Sequence, residues 1–354
     1  MTIKEAAVDR KNNLNIIRLV ASLMVLYMHS FAIAYGNQSM DIFYTLTNHK
    51  DLAGGIAVYI FFIISGFLIC RSYDRTKSTR SYFMARFLRI WPLLFVVIMI
   101  TAFVLGPIIS EYDAYQYFHG NILGFLLNIF FISSNTLLPG VFMHHYNHSL
   151  NGSLWTLSYE VLWYILVAIL SPLWKKQKIT GPIVFVILTI AYCVLIYGGF
   201  ENAFFFSGAL LKFVKLGMFF SMGMNYYLFS DKIKLSFKIF LGAIVLLILG
   251  ILFADFIITF SIAGPYIIFY IAFQKRFVAT WYDKIGDLSY GIYIMSFTIQ
   301  QTIVEYIGKP TYGYNTMAMN PYLNMLFTLI IVIPLAWLSW HFIEAPCLKL
   351  KRNS

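Results

Sequence analysis

Residues Leu14–Tyr35 read LNIIRLVASLMVLYMHSFAIAY, an apolar run in which only Arg18 and His29 can carry charge near neutral pH. At 1.5 Å per residue, a helix of this length crosses the roughly 30 Å hydrocarbon core of a bilayer. An ionisable side chain is costly at membrane depth, so it marks a candidate functional site by default. The run therefore predicts a membrane helix that contains functional residues.

The composition of the whole chain also indicates a membrane protein. Hydrophobic residues make up 60% of the 354 residues and charged residues 12%, with a mean hydropathy of +0.74. These values predict a polytopic membrane protein in contact with the lipid bilayer. The net charge of +11 is spread over the segments between apolar runs, and no recognition motif accompanies it, so nucleic acid is not expected as a partner. The three cysteines lack ligand spacing, and no metal site is predicted.

Apolar runs of about twenty residues recur along the chain and predict an all-α membrane bundle of about ten transmembrane helices. A shorter run at 121–134 precedes a polar, aromatic segment and is interpreted as a re-entrant or interfacial piece. The predicted spans are 14–35, 52–71, 90–109, 154–174, 179–197, 208–229, 239–255, 257–273, 285–306 and 322–342.

The basic residues predict the orientation of this bundle. With a cytoplasmic N-terminus, most of the 26 lysines and arginines fall in inner segments, as the positive-inside rule requires. Lys50 and Lys309 lie in outer loops, and Lys212 and Lys215 lie near the outer end of the sixth span. One membrane domain is predicted over residues 1–354, with a cytoplasmic N-terminal segment 1–11 and a cytoplasmic C-terminal tail 343–354.

Membrane depth brings two polar residues into one layer. His29 follows Arg18 by eleven residues, about 16 Å further toward the outside at helical rise. Glu160 lies near the outer end of the fourth span, at nearly the depth of His29. Alone, each residue could simply hydrogen-bond a neighbouring helix. At matched depth they predict a pair, because a carboxylate raises the proton affinity of an imidazole and fixes its tautomer, as a general base requires.

Three histidines cluster in the loop before the fourth span: His144, His145 and His148. No cysteine or carboxylate accompanies them at ligand spacing, which argues against a metal site. A solvated or substrate-facing role is predicted for this cluster.

Arginines crowd the link between the second and third spans. Arg86 and Arg89 are i, i+3 neighbours on one helix face, and guanidinium pairs grip phosphates bidentately. Phosphate binding is therefore predicted for these two. The arginines from Arg71 to Arg80 are interpreted as topology determinants or contacts to anionic lipid.

Six segments carry recognisable motifs: Arg18–His29, Gly55–Ile69, Arg86–Pro92, Asn151–Glu160, Gly286–Tyr293 and Phe342–Pro346. In this order they resemble the successive signatures of the acyltransferase-3 family of integral membrane acyltransferases. The resemblance runs from Asn12 to about Arg352. Any one motif is weak, but six in the right order are specific.

The resemblance implies an enzyme that moves an acyl group, usually acetyl from cytoplasmic acetyl-CoA, onto a hydroxyl. Many members carry a histidine where this chain has Ser296, so no role is assigned there. Residue by residue, the family's functional positions map to Arg18, His29, Arg86, Arg89, Trp155 and Glu160. The resulting hypothesis is that His29 and Glu160 are catalytic and that Arg18, Ser65, Arg86 and Arg89 bind the donor.

The segment starting at Asn151 resembles the version found in exopolysaccharide and O-antigen modifying members. This implies a cell-surface or lipid-linked polysaccharide, an envelope glycan, as acceptor at the inner (plasma) membrane. His29 would either remove the hydroxyl proton or carry the acyl group as an acyl-imidazole, two routes that the sequence leaves open. The residues expected to contact the acceptor are Asn151, Ser153, Trp155 and Tyr159.

Other functions stay open at this point. A proton-coupled transporter would use His29, Glu160 and Arg18 as a relay, although the chain shows no pair of related halves with interrupted helices. Within acyl transfer, the acceptor could be a small antibiotic or a lipid headgroup, and the donor a succinyl thioester. The oligomeric state is not indicated.

Overall fold

The structure is a computed structural model that describes residues 1–9, 11–76, 78–133, 135–206, 208–275, 278–310 and 316–350. The end of the predicted C-terminal tail, 351–354, lies outside this described part. So do five of the basic residues on which the predicted orientation rests: Arg10, Lys77, Arg276, Lys351 and Arg352.

Ten long helices coincide with the ten predicted spans. Their ends differ from the predicted ends by a few residues, except for α3. It begins eleven residues earlier, at Thr79, and ends nine residues earlier, at Ile100, although a π-helical turn and a short helix continue it to Ile109. The long helices are α1 (Leu14–Ala34), α2 (Ala53–Arg75), α3 (Thr79–Ile100), α4 (Trp155–Lys176), α5 (Thr180–Tyr197), α6 (Leu210–Leu228), α7 (Phe237–Phe253), α8 (Phe256–Phe273), α9 (Ser289–Ile307) and α10 (Pro321–Ser339).

Seven helices among the described residues are long and apolar enough to cross a membrane, with α3 and α10 counted together with their extensions. The remaining three predicted spans are occupied by α6, α7 and α9. The expected all-α polytopic membrane bundle is thereby confirmed. The seven spans are Leu14–Ala34, Ala53–Arg75, Thr79–Ile109, Trp155–Lys176, Thr180–Tyr197, Phe256–Phe273 and Pro321–Leu350.

Short elements connect the long helices. The predicted interfacial segment forms only Ile122–Leu126 and Leu127–Phe130, which are too short to cross a bilayer. The other short helices are Ile3–Ala6, Gln38–Met40, Ile42–Leu46, Thr101–Leu105, Gly106–Ile109, Ala114–His119, Thr280–Ile285, Trp340–Glu344 and Ala345–Leu350. Two small antiparallel hairpins pair Phe204–Phe205 with Gly208–Ala209 and Lys309–Pro310 with Met317–Ala318.

Both α3 and α10 continue into a wide π-helical turn, at Thr101–Leu105 and Trp340–Glu344. Each turn ends two residues before a proline, Pro107 or Pro346. A proline has no N–H to donate, and its ring clashes with the carbonyl four residues earlier, which a wider turn relieves. This local widening sets the position of Glu344, the last residue of the second turn.

The chain packs as two compact units. The first comprises Met1–Ala21, Phe43–Phe83 and Tyr159–Ile285, and the second comprises Ser22–Ile42, Met84–Ser158 and Gly286–Ser354. His29 therefore belongs to the second unit and Glu160 to the first.

The first unit is organised around the packing of α2 against α6. A Cβ atom at Gly66 would lie 2.0 Å from the Phe220 carbonyl oxygen, and one at Gly223 would lie 2.0 Å from the Ile63 carbonyl oxygen. Because each helix presents a glycine to the backbone of the other, the two backbones approach as closely as small-residue membrane interfaces allow. This contact fixes α2, which carries Ser65 and Arg71.

The second unit pairs α9 with α10 and with the part of α1 that starts at Ser22. Gln300 on α9 donates from Nε2 to the Leu26 carbonyl oxygen at 2.8 Å and to Ser30 Oγ at 2.7 Å. Asn324 on α10 donates from Nδ2 to the Gln300 carbonyl oxygen at 3.1 Å. Polar side chains thus join the helices inside this unit, as is common where water is absent.

Candidate active site

His29 lies on the part of α1 that belongs to the second unit. Its ring meets the Phe297 ring of α9 edge to face, with centroids 4.8 Å apart. Its Nδ1 atom is buried and has no hydrogen-bond partner among the described residues. A ring nitrogen that is not engaged in holding the fold is available to a reacting group, which suits the predicted general base.

Glu160 lies on α4 in the first unit, where two hydroxyls hold its carboxylate. Tyr164 donates its phenolic proton to Oε1, and Ser65 Oγ donates to the same atom at 3.3 Å. Ser65 and Glu160, both predicted site residues, are therefore brought together within one unit. The predicted pairing of Glu160 with His29 involves both units and stays a prediction.

Arg89 is occupied by two carboxylates of its own unit. Nη2 donates to Asp287 Oδ2 at 2.6 Å, and Nη1 donates to Glu344 Oε2 at 3.2 Å. The guanidinium carbon also lies 5.8 Å from the ring centres of Tyr290 and Trp340. Because both outer nitrogens of this arginine already face acids, the structure argues against the predicted grip of Arg89 on donor phosphates. That role stays a prediction without structural support.

Asp287 and Glu344 were missed as site residues by the sequence reasoning. Asp287 Oδ1 also accepts from the Ser289 N–H at 3.2 Å at the start of α9, and Glu344 Oε1 accepts from Ser339 Oγ at 3.0 Å. Each of the last two motifs contains one acidic residue, and this was the signal that the sequence offered. Three motifs that are far apart in the chain, containing Arg89, Asp287 and Glu344, meet in one ion-pair cluster.

Gly286 immediately precedes this cluster and requires glycine. Its φ is +107°, and a Cβ atom there would lie 2.2 Å from Trp340 Cδ1. Only a residue without a side chain takes this conformation and leaves room for the indole ring, so Gly286 sets the turn that aims Asp287 at Arg89.

Two of the four residues predicted to bind the acceptor are engaged with backbone. Asn151 is 1% exposed and donates from Nδ2 to the Ile294 carbonyl oxygen at 2.7 Å. The Tyr159 hydroxyl donates to the Ala209 carbonyl oxygen at 3.0 Å in the first unit. Ser153 is buried, and its Oγ has no hydrogen-bond partner among the described residues. Acceptor binding by these residues and by Trp155, which begins α4, stays a prediction.

The histidine cluster does not form one environment. His144 is 57% exposed in its side chain and lies 3.4 Å from Glu111. His145 is fully buried between Gln301 and Glu305, so the solvated or substrate-facing role predicted for it is wrong. A buried polar contact 156 residues away in the chain leaves no local signal in the loop sequence.

A cavity of about 250 Å³ opens in the first unit at the end of α2. Arg71 Nη2 on its wall donates to the Ala7 carbonyl oxygen at 2.7 Å, and Lys178 Nζ lies 3.7 Å from Asp231 Oδ1. Four cationic and two acidic side chains line the cavity beside apolar ones. The lining residues are Lys4, Ala7, Val8, Phe67, Arg71, Asp74, Arg75, Lys178, Tyr227, Leu228, Ser230 and Asp231.

Arg18 and Arg86 complete the predicted donor-binding set. Arg18 lies half-buried on the part of α1 in the first unit, and Arg86 lies half-buried on α3, one turn before Arg89. Their donor-binding roles stay predictions.

These features define a class: a polytopic membrane enzyme with buried or half-buried histidine, carboxylate and arginine side chains on its helices. The sequence profile of the family described as "Acyltransferase domain" matches residues 11–341. The chain belongs to this acyltransferase family and is a membrane-bound O-acyltransferase.

Two curated relatives match over nearly their whole length. The "O-acetyl transferase" of Shigella phage Sf6 is 28% identical over 350 residues, which cover 95% of each chain. "Nodulation protein 10" of Rhizobium leguminosarum bv. viciae is 25% identical over 396 residues, covering 99% of this chain and 96% of the relative. No solved structure matches the chain.

Proposed function

We propose that this O-acyltransferase moves an acetyl group from cytoplasmic acetyl-CoA to a hydroxyl of a cell-surface or lipid-linked polysaccharide at the plasma membrane. The relative named as an O-acetyl transferase supports acetyl as the acyl group. The observation that carries the proposal is in the first unit. One helix, α2, bears both Ser65, which contacts Glu160, and the arginines of the basic cavity.

The basic cavity is the proposed donor site. Cationic side chains beside apolar walls suit the phosphates and the body of a nucleotide thioester. Arg71 and Arg75 follow Ser65 by six and ten residues, which at helical rise is about 9 Å and 15 Å along α2. A thioester arm extended along this helix therefore leads from the cavity past Phe67 toward Ser65 and Glu160. Arg75 takes the place that the sequence reasoning gave to Arg89.

The reaction forms an ester bond between the acetyl carbon and the acceptor oxygen and breaks the thioester C–S bond. His29 is the proposed base that removes the hydroxyl proton, and the departing thiolate takes this proton to leave as free CoA thiol. Glu160, which is held by Ser65 and Tyr164, is the second residue that we propose to be catalytic. Atoms and charge balance without any further reactant.

The activity itself is tested with the purified full-length protein in lipid vesicles. We expect labelled acetyl from acetyl-CoA to appear as a base-labile ester on lipid-linked or surface glycan, only when the protein is present. Mass spectrometry of surface glycan from cells with and without the gene then locates the ester. Proton-coupled flux of a solute with no ester and no requirement for acetyl-CoA would replace this function with transport.

Replacing Arg75 by glutamine is expected to raise the KM for acetyl-CoA about 10-fold and to leave kcat unchanged, because a charge-assisted contact to phosphate is lost. The measurement is initial rate against donor concentration. Lys176→Gln is the matched control, since Lys176 is exposed in the same unit and does not line the cavity. Equal KM values for the two variants would show that the cavity does not hold the donor.

A further inference from the structure

His145 is buried in a loop of the second unit, with its side chain fully excluded from solvent. Its Nδ1 lies 2.8 Å from Gln301 Oε1, and its Nε2 lies 2.7 Å from Glu305 Oε2. Both partners are on α9, one turn apart. The catalytic proposal above uses none of these three groups.

The orientation of the Gln301 amide decides the protonation of His145. The Gln301 Nε2 donates to the carbonyl oxygens of Asn147 and Ser149, the latter at 2.8 Å. Backbone carbonyl oxygens only accept, so the amide nitrogen must face them and Oε1 must face His145. Both histidine nitrogens then face acceptors, and both must donate.

We infer that His145 is an imidazolium cation, paired with Glu305, that positions the outer loop for acyl transfer. The ring N–H at Nε2 then faces a carboxylate oxygen of Glu305, which makes this contact an ion pair. The Phe142 ring, 4.7 Å from the His145 ring, adds an aromatic contact to this cation. Among the described residues, Glu111 is the other acid in contact with this loop, and it faces the exposed His144.

The loop held by His145 touches both helices around the proposed base. Tyr146 packs on Gly36, just beyond the end of α1, where a Cβ atom would lie 2.5 Å from Tyr146 Cδ1. Further along, Gly152 packs on Phe297, where a Cβ atom would lie 2.5 Å from Phe297 Cε2. Phe297 is the residue whose ring meets His29. His145 is therefore a positioning residue, which acts on His29 through the loop and Phe297.

The kinetic part of this inference rests on the proposed function. The charge of His145 is tested independently of that function. Nitrogen NMR of the full-length protein with ¹⁵N-labelled histidine, in lipid nanodiscs at neutral pH, reports the ring state. The His145 signals are assigned by their loss in His145→Leu or their shift in Glu305→Gln. We expect two protonated ring nitrogens. A neutral tautomer would overturn the inference whatever the enzyme does.

Kinetics test the positioning role. We expect His145→Leu to lower kcat for acetyl transfer about 100-fold, the scale of a small misplacement of reacting groups, with the KM for acetyl-CoA unchanged. Rates are normalised to the fraction of protein that binds acetyl-CoA, so a loss of folded protein alone does not lower them. Glu305→Gln keeps a hydrogen-bond partner and removes the charge, and we expect a smaller loss, about 10-fold.

His119→Gln is the matched control, because His119 is exposed in the same unit and its contacts among the described residues are with Tyr115 of its own short helix. Its normalised rate is expected to equal that of the unaltered protein. If His145→Leu does not fold, Glu305→Gln and the NMR of the unaltered protein decide the question. Normalised rates for the loop variants equal to the control would overturn the positioning role. Absence of transfer in the unaltered protein would instead count against the proposed function.

Discussion

Replacing His29 by alanine is expected to lower the rate of acetyl transfer by about 10²- to 10⁴-fold, the contribution of a positioned general base. The physical reason is that His29 presents a buried Nδ1 with no hydrogen-bond partner among the described residues. The variant therefore loses a reactive nitrogen and the aromatic edge contact with Phe297. The measurement is the initial rate of ester formation per mole of protein that binds acetyl-CoA.

His49→Ala provides the control for this variant. His49 is exposed in the loop after α1 and meets only the Tyr44 ring among the contacts described for it. We expect its rate to match that of the unaltered protein. A His29→Ala enzyme that works at the same rate as His49→Ala would remove His29 from the chemistry.

The two routes open to His29 are separated by omitting the acceptor. With labelled acetyl-CoA alone, an acyl-imidazole route leaves label on the peptide that contains His29, whereas direct base catalysis leaves none. Either result keeps His29 in the reaction. Label on a different residue would assign the acyl carrier elsewhere.

The helices were predictable from the sequence because a bilayer imposes one length on every span. Apolar runs of about twenty residues leave little freedom in where a helix lies. The exception is the start of α3, at Thr79, which lies ahead of its apolar run among polar and basic residues. A hydropathy pattern detects only the part of a helix that contacts lipid, so the predicted start of α3 lies too far along the chain.

The candidate site was only partly predictable, and Arg89 shows why. Its spacing from Arg86 is a local pattern that fits a phosphate site, but its partners are 198 and 255 residues further along the chain. Nothing in the local sequence indicates that these carboxylates already occupy the guanidinium. His145 misled the sequence reasoning in the same way, because its partners lie on α9. Ser65 and Glu160, by contrast, were both predicted site residues, and they do meet.

Removing Arg89 is expected to produce the largest loss of stability among single substitutions in the ion-pair cluster. Arg89→Ala leaves Asp287 and Glu344 without their cation, and these side chains are 8% and 2% exposed. Breaking a buried pair from one side costs about 3–5 kcal/mol of unfolding free energy, since an uncompensated charge remains. The measurement is the thermal unfolding midpoint of the purified protein and its abundance in membranes. Arg80→Ala, at an exposed position near the start of α3, is expected to leave both unchanged.

A charge-neutral replacement of the cluster separates fold from donor binding. In the triple variant Arg89→Met, Asp287→Asn and Glu344→Gln, the three charges of the two described ion pairs are removed together. Replacing a whole buried ion cluster by neutral groups is often close to neutral for stability. We therefore expect abundance and the unfolding midpoint to recover, together with a KM for acetyl-CoA like that of the unaltered enzyme. If the triple variant is stable but has a strongly raised KM for acetyl-CoA, Arg89 belongs to the donor site. Arg89 joins α3 to Asp287, just before α9, and to Glu344, in the π-helical turn after α10. Recovery of activity would therefore identify its charge as a support of the fold that carries His29.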